Sequence, residues 1–232
     1  MLTKAKKKVA IFDIDGTIFR SSLLIEVMDG LIEDGIFPKT TRKEYAKELN
    51  DWVTRKDGYE KYIMAVVRSF MKHIKGVKYS DFLQVVNEVL DAQRNKVYRY
   101  TRDLIRYLKR HGYYLLAISQ SPMELVQGFG KKMGFDKMYG RIYEVGANKR
   151  FTGKILHLDL IADKSNVIKR AVEKENLTLK GSYGVGDTEG DINLLKMVER
   201  PICFNPNENL YKHAKNRKWK IVVERKDMIY TL

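Results

Sequence analysis

The sequence predicts a doubly wound α/β fold, in which a parallel sheet carries an inserted helical cap. Short apolar runs alternate with helical patterns in the second part of the chain, and a long stretch before it carries no strand signal. Polar motifs also follow several of the predicted strands, as expected for a ligand site in such a sheet. We therefore expect a core domain of residues 1–20 plus 97–232 and a helical cap domain of residues 21–96.

The first predicted strand runs from Val9 to Phe12, and Gly16 breaks the pattern soon after it. Asp13 and Asp15 follow this strand directly. Two carboxylates at one strand end repel each other unless a cation neutralises them. An all-oxygen pair suits Mg²⁺, which takes one or two carboxylates and keeps several waters. The end of the first strand therefore indicates a magnesium site.

The stretch after this strand consists of helical patterns. Apolar residues recur at helical spacing in four consecutive runs, which glycines and a proline separate. The runs occupy residues 23–32, 45–53, 59–71 and 82–90. Four helices without an intervening strand predict a compact helical insertion.

From residue 101 onward, helical and strand patterns alternate. The predicted helices cover residues 101–110, 163–175, 191–198 and 208–216, and the predicted strands lie at 113–118, within 135–145, and at 182–185, 202–204 and 219–223. Ser121, followed by Pro122 and Glu124, predicts a helix start with a capping box. Phe151 to Gly153 is interpreted as a turn.

The composition is typical of a folded globular protein, with 44% hydrophobic and 11% aromatic residues. No apolar stretch approaches the length that spans a bilayer. The single cysteine, Cys203, excludes an internal disulfide and fits a reducing compartment. We therefore expect a cytoplasmic protein in which Cys203 fills the core.

The formal net charge is +15, and its distribution along the chain is uneven. Residues 20–96 contain 14 basic and 12 acidic side chains, so thirteen of the excess positive charges lie elsewhere. Such an excess attracts nucleic acid or anionic substrates, or it belongs to a solvated surface. The solvated surface is favoured, because lysines such as Lys131, Lys169 and Lys212 are scattered rather than interleaved with aromatic residues.

Four polar motifs appear in order, and three of them follow predicted strands. They are Asp13 to Thr17, Ser119, Lys164 at a helix start, and Gly186 to Asp191. Together they resemble the signature motifs of the haloacid dehalogenase-like (HAD) phosphatases, subfamily IB, in particular the phosphoserine phosphatase-like group. The resemblance covers residues 8–20 and about 97–223, and it implies a HAD-like Rossmannoid core with a C1-type cap in the place of the helical insertion.

The resemblance assigns roles to these residues. Asp13 would attack the phosphorus and become an aspartyl phosphate, and Asp15 would protonate the leaving alkoxide and later deprotonate the hydrolytic water. The Mg²⁺ ligands would be Asp13, the backbone carbonyl of Asp15, Asp187 and, through water, Asp191. The phosphate- and substrate-binding residues would be Gly16, Thr17, Ser119, Gln120 and Lys164, with Ser119 and Lys164 also counted as catalytic.

Physical chemistry supports these roles. A phosphate monoester repels an anionic nucleophile, so the attack needs a metal ion and positive groups. Ser119 and Gln120 offer donors at a strand-to-helix junction that favours an anion. Lys164 would neutralise the phosphoryl oxygens and the nucleophile, with Lys154 as its rival for this role. Asp191 either joins the metal site, positions Lys164, or is an acid that favours a helix N-terminus.

The expected function is Mg²⁺-dependent hydrolysis of a small phosphorylated substrate. Phosphoserine itself is not favoured, because residues 19–22 lack the glutamate with which phosphoserine-selective relatives hold the substrate ammonium, and Gln120 replaces their usual glycine. The cap arginines Arg42, Arg55 and Arg68 are candidates for holding a carboxylate or a second phosphate. Two alternatives stay open: phosphoryl transfer to an alcohol, and nucleic-acid binding by the basic surface, with the site acting on a polynucleotide end or inactive.

Overall fold

The computed structural model describes residues 5–93 and 95–232, so residues 1–4 of the predicted core domain lie outside the described part. The strands are β1 (Lys7–Phe12), β2 (Tyr114–Pro122), β3 (Lys137–Val145), β4 (Phe151–Leu156), β5 (Leu177–Gly186), β6 (Arg200–Phe204), β7 (Lys220–Arg225) and β8 (Met228–Thr231). The helices are α1 (Leu23–Glu33), α2 (Ala46–Val53), α3 (Tyr59–Ile74), α4 (Tyr79–Gln93), α5 (Arg99–Arg110), α6 (Met123–Met133), α7 (Leu158–Ala162), α8 (Lys164–Lys174), α9 (Ile192–Lys196) and α10 (Glu208–Arg217).

The strands of the described residues form one eight-stranded sheet in the order β4-β3-β2-β1-β5-β6-β7-β8. The six central strands are parallel, and β4 and β8 are antiparallel edges. The strand order reverses at β1, which lies between β2 and β5. The predicted doubly wound parallel sheet is therefore confirmed, and β1 ends at the point where such sheets bind ligands.

Residues of β1 alternate between two hydrophobic clusters, one on each face of the sheet. Ala10 and Phe12 belong to the cluster that includes α5 and α6, and Val9 and Ile11 belong to the cluster that includes α8 and α10. Because both faces are covered by helices, all four residues from Val9 to Phe12 are apolar rather than every second one. Cys203 belongs to the second cluster and is fully buried, as expected for a core residue.

The helical insertion packs directly on one face of the sheet. Helices α1 to α4 share one hydrophobic cluster with α5, α6 and the face of the sheet that carries Ala10 and Phe12. The contact between α4 and α6 is close, since a Cβ at Gly128 would lie 2.3 Å from Leu90. The division into separate core and cap domains therefore stays a prediction, although the insertion itself lies where the sequence predicts it.

Two sets of backbone hydrogen bonds attach the cap to the core. Where the chain enters and leaves the cap, the amide of Arg20 donates to the carbonyl of Lys96 at 2.9 Å. At the far end of the cap, the loop between α3 and α4 pairs with the start of β4. There the Gly76 amide donates to the Phe151 carbonyl at 2.8 Å, and the Phe151 amide donates to Val77 at 3.0 Å. The cap is thus held at both ends.

Two local predictions were wrong. Phe151 to Gly153 begins the edge strand β4 and is not a turn, because β3 supplies an antiparallel partner that a local pattern does not show. The predicted capping box at Ser121 is absent: Ser121 belongs to β2, α6 begins at Met123, and no side chain caps it. The Ser121 hydroxyl instead donates to Asp15 in the site described below.

Among the described residues, no helix combines the length and apolar character needed to cross a bilayer.

Candidate active site

Three aspartates meet where β1 and β5 end. Asp13 follows β1, Asp187 follows β5, and Asp191 lies one helical turn further along the chain. The two strands are neighbours, and the Asp13 amide donates to the Val185 carbonyl at 2.9 Å. One carboxylate oxygen from each aspartate lies within 4.8 Å of the others. Parallel strands therefore bring together the acids that the sequence placed 174 positions apart.

Lys164 joins this cluster from the start of α8. Its Nζ lies 2.5 Å from Asp13 Oδ1 and 2.6 Å from Asp191 Oδ1, and the residue is buried. Asp163 caps this helix by accepting a hydrogen bond from the Ser165 amide, which places Lys164 in the first turn. Lys154, the rival, is exposed on β4. The geometry therefore favours Lys164.

The charges of the cluster do not balance without a cation. Burial, together with the neighbouring Asp191 and Asp15, raises the pKa of Asp13 to about 7, and burial beside Asp13 raises the pKa of Asp187 well above its ordinary value. Burial alone would lower the pKa of Lys164, but its two carboxylate partners outweigh this effect and raise it. One ammonium thus faces three carboxylates, and full ionisation needs further positive charge.

The residues present fit Mg²⁺. Asp13 Oδ2 is buried and has no hydrogen-bond partner within the described residues, so an acceptor is left without a donor. The donor set consists of carboxylate oxygens, which a hard cation prefers. A divalent ion would also offset the excess negative charge. Asp13, Asp187 and Asp191 are the side chains that would hold it.

The carboxylate of Asp15 lies outside this cluster and accepts three hydrogen bonds elsewhere. Its Oδ2 accepts from the Ser119 hydroxyl at 2.5 Å and from the Ser121 hydroxyl at 2.9 Å. Its Oδ1 accepts from the Leu23 amide, at the start of α1, at 2.6 Å. The side chain is therefore separate from the candidate metal ligands, and its backbone carbonyl is the group that the sequence analysis assigned to the metal.

Ser119 and Gln120 stand at the end of β2, but their side chains are engaged by the protein. The Ser119 hydroxyl is fully buried and donates to Asp15. The Gln120 side chain accepts from Arg141 at 2.6 Å and donates to the Ile161 carbonyl at 2.5 Å. The Gln120 side chain thus links β3 to α7, the helix that precedes Lys164. The expectation that these two residues bind phosphate stays a prediction.

Thr17 and Gly16 both contact Asp187. The Thr17 hydroxyl is buried and donates to Asp187 Oδ1 at 3.1 Å. Gly16 has a φ of +77°, and a Cβ there would lie 2.1 Å from Asp187 Oδ2. Positive φ and close approach both require glycine at this position. The structure therefore shows these residues positioning a candidate metal ligand, and phosphate binding by them stays a prediction.

Replacement of Gly16 by alanine should disturb this metal ligand. The added methyl group collides with Asp187 in a backbone conformation that alanine disfavours. We expect Mg²⁺ affinity, measured by titration calorimetry, to fall about 10–100-fold, the usual cost of disturbing groups that orient a ligand. Gly35→Ala is the control: its φ is also positive, at +71°, but no atom lies within 4 Å of the added Cβ. Equal Mg²⁺ affinity in Gly16→Ala and the parent protein would contradict this role.

The contacts of Asp191 fit each of the three roles that the sequence left open. Its Oδ2 accepts from the amides of Asp187 and Thr188 at 3.0 and 3.2 Å, in a capping box of the short 3₁₀ turn Glu189–Asp191. Its Oδ1 accepts from Lys164. Asp191 thus positions Lys164 and caps a helical turn with one carboxylate, while an oxygen of the same group belongs to the candidate metal cluster.

A cleft of about 460 Å³ opens onto these residues between the core and the cap. Its core side includes Asp13, Asp15, Gln120, Arg141, Lys164 and Asp187. Its cap side is mainly apolar and includes Leu24, Tyr59, Ile63, Met64 and Val67. The cleft therefore has a charged wall on the core and a mainly apolar wall on the cap.

The cap arginines named in the sequence analysis do not line this cleft. Arg42 pairs with Asp29 and Glu33 on the cap, and Arg68 is exposed. Arg55 lines the adjoining cleft of about 770 Å³ and lies over Trp52 at 4.8 Å. The arginine of the 460 Å³ cleft is Arg141 on β3.

Sequence reasoning missed Arg141, Ser121 and Tyr59 as residues of the site. Arg141 lies in a strand segment without any local motif, and Ser121 was assigned to a helix cap. Tyr59 begins α3 and borders both clefts. A helix start directly after Gly58 was the signal available for Tyr59, but the sequence contains no feature that places that helix next to the candidate carboxylates.

The chain is similar to known proteins over most of its length. The chain is 20% identical over 226 residues to the histidinol-phosphatase of Neisseria meningitidis, covering 93% of this chain and 98% of that protein. It is 24% identical over 220 residues to the inhibition of morphological differentiation protein of Streptomyces azureus, covering 93% and 78%.

Among solved structures, a phospho-aspartyl intermediate analogue of phosphoserine phosphatase matches with a TM-score of 0.63 and 20% identity, covering 96% of this chain and 95% of that one. At this identity the likeness shows the fold, and it confirms the predicted phosphoserine phosphatase-like architecture. The family profile of the haloacid dehalogenase-like hydrolases matches residues 10–196. The chain therefore belongs to the haloacid dehalogenase-like hydrolases.

Proposed function

We propose that the protein is a Mg²⁺-dependent phosphomonoester hydrolase that acts through an aspartyl phosphate on Asp13. The observation that carries this proposal is the cluster of Asp13, Lys164, Asp187 and Asp191, of which all but Asp191 line the cleft. The family and the presence of phosphatases among the similar proteins support it. When bound, Mg²⁺ would supply positive charge that offsets the repulsion between the carboxylate and the phosphoryl oxygens.

In the first step, a carboxylate oxygen of Asp13 attacks phosphorus while the bond from phosphorus to the leaving oxygen breaks. Asp15, in its protonated form, gives its proton to the leaving oxygen. Lys164, which already holds Asp13 Oδ1, keeps the nucleophile oriented and stabilises the added negative charge. In the second step, Asp15 takes a proton from water, the water oxygen attacks phosphorus, and Asp13 is released with inorganic phosphate.

The hydrogen bonds of Asp15 hold this residue in place for its role. Ser119 and Ser121 both donate to its Oδ2, and the first residue of α1 donates to its Oδ1. These three donors fix the orientation of the carboxylate on the wall of the cleft, where the leaving oxygen of a substrate would lie.

The cleft favours a small substrate with a partly apolar leaving group. Its volume of about 460 Å³ is at the lower end of ligand pockets, and Ile63, Met64 and Val67 form much of its cap side. Arg141 and Lys164 are the basic residues on its wall within the described part of the chain. We propose Arg141, rather than a cap arginine, as the partner for a second anionic group of the substrate.

The proposal is tested with the purified protein and a panel of phosphorylated amino acids, sugars, alcohols and nucleotides. We expect phosphate release in the presence of Mg²⁺, its loss on addition of EDTA, and its return when Mg²⁺ is restored in excess. The same assay with an added acceptor alcohol distinguishes hydrolysis from phosphoryl transfer, because transfer yields a new phosphoester at the expense of free phosphate. Undiminished turnover in EDTA, or no turnover of any member of the panel, would contradict the proposal.

A further inference from the structure

A second concave region lies at the amino ends of the strands, whereas the catalytic carboxylates lie at the carboxyl ends. It consists of two cavities of about 750 and 380 Å³ that share Tyr183 and Arg200. The larger cavity includes the first residues of β6 and β7, and the smaller includes the start of β1 and the end of α5. We call the two cavities together the basic groove.

The basic groove carries a concentrated positive charge. Eight lysines and arginines of the described residues line it, and none of the eight forms an ion pair with a carboxylate in that part of the chain. The acid on its wall, Glu199, accepts a hydrogen bond from the Gly181 amide at 2.7 Å. Lysines that are scattered along the sequence are thus gathered in space. Much of the charge excess outside the cap is therefore presented at one surface.

Helix dipoles explain a part of this pattern. Lys196 and Arg217 lie in the last turns of α9 and α10, and Lys218 is the C-cap residue of α10, where cations stabilise a helix terminus. The other five cations of the groove have no such reason to gather. Lys8, Arg200 and Lys220 lie at the starts of three different strands, and sheets have only small net dipoles. Their convergence points to an anionic partner.

Aromatic rings stand between these cations. The Arg200 guanidinium lies 5.1 Å from the centre of the Tyr183 ring, and Tyr183 in turn packs edge-on against Tyr113 at 5.6 Å. Lys220 lies 5.6 Å from the centre of the Tyr100 ring. Trp219 also lines the groove and is partly exposed. Rings for base stacking beside cations for phosphates are the combination that binds single-stranded nucleic acid.

We propose that the basic groove binds single-stranded nucleic acid, with the phosphates at its lysines and arginines and the bases against its tyrosine and tryptophan side chains. The concave shape and the aromatic side chains favour a single strand over a duplex, whose bases are stacked inside. This proposal does not depend on the phosphatase activity, because the groove shares no lining residue with the catalytic cleft.

The test measures the fluorescence anisotropy of a labelled thymidine oligonucleotide of about 15 nucleotides. We expect binding to the full chain at roughly 50 mM salt, with an affinity that falls linearly with salt on logarithmic axes. The triple variant Lys196→Glu, Arg200→Glu, Lys220→Glu should bind at least about tenfold more weakly and with a shallower salt dependence. Trp219→Ala should weaken binding about tenfold and leave the salt dependence unchanged.

The control variant, Lys43→Glu, Lys131→Glu, Lys169→Glu, changes the net charge by the same amount at exposed positions outside the groove. It should bind within about threefold of the parent protein. Far-UV circular dichroism at the temperature of the binding assay should show that every variant is folded. Absence of binding at low salt, an equal loss of affinity in the control, or equal affinity for a duplex of the same length would each overturn the proposal.

Discussion

Asp13→Asn is expected to abolish phosphatase turnover while the fold remains intact. An amide is a far weaker nucleophile than a carboxylate, and this change also removes a candidate ligand of the metal ion. Loss of an essential nucleophile typically costs at least ~10³-fold in kcat. Stability should not fall without metal, because the change removes one of three clustered carboxylates and Lys164 keeps its bond to Asp191. The measurement is steady-state phosphate release together with thermal unfolding in EDTA.

Asp163→Asn is the matched control for this variant. Asp163 precedes Lys164 and caps α8, but it is not part of the carboxylate cluster. Asparagine caps helices as well as aspartate does, so stability and turnover should both stay close to those of the parent protein. Retained phosphatase activity in Asp13→Asn would rule out the aspartyl phosphate, even if the fold and the metal site are as described.

Lys164→Met is expected to reduce both stability and turnover. It leaves Asp13 and Asp191 buried without their ammonium partner. Breaking a buried ion pair by removing one partner typically costs about 3–5 kcal/mol. For a chain of this size, that corresponds to a fall of roughly 6–20 °C in Tm. Mg²⁺ should recover part of the loss, since it supplies positive charge to the same carboxylates, so melting is measured in EDTA and in Mg²⁺.

The control here is Lys154→Met, which removes a lysine from the exposed side of β4. This change should leave turnover and Tm within the error of the parent protein, since exposed charges contribute little to stability. The opposite pattern would assign the catalytic role to Lys154: turnover lost in Lys154→Met and unchanged in Lys164→Met.

Local patterns were sufficient for the elements that carry the site. The apolar residues of β1, the start of α8 and the acids after β5 each have a signal within a few residues of the chain. Their order also matched that of a known set of motifs. Since the carboxyl ends of neighbouring parallel strands lie at one edge of a sheet, strand adjacency alone is enough to bring Asp13 and Asp187 together.

Contacts between distant segments could not be predicted in this way. The residues after Ser121 favour a helix, so the local pattern predicts that Ser121 caps it. In the structure its hydroxyl instead donates to Asp15, which follows the neighbouring strand β1. Gln120 contacts Arg141, 21 positions away on the next strand, and no local pattern predicts this contact. Strand β4 forms because β3 pairs with it. These outcomes depend on which partner is nearest in space.

The sequence by itself determined the class of the sheet, the place of the helical insertion, the acids at the strand ends and the lysine at the start of α8. These properties follow from side-chain periodicity and from residue types next to one another in the chain. Only the tertiary structure decided that the cap and one face of the sheet share a core, that Arg141 lines the cleft, and that dispersed lysines meet in the basic groove. The reason is physical: burial and charge density depend on distances between atoms, and chain folding creates short distances between residues that the sequence separates widely.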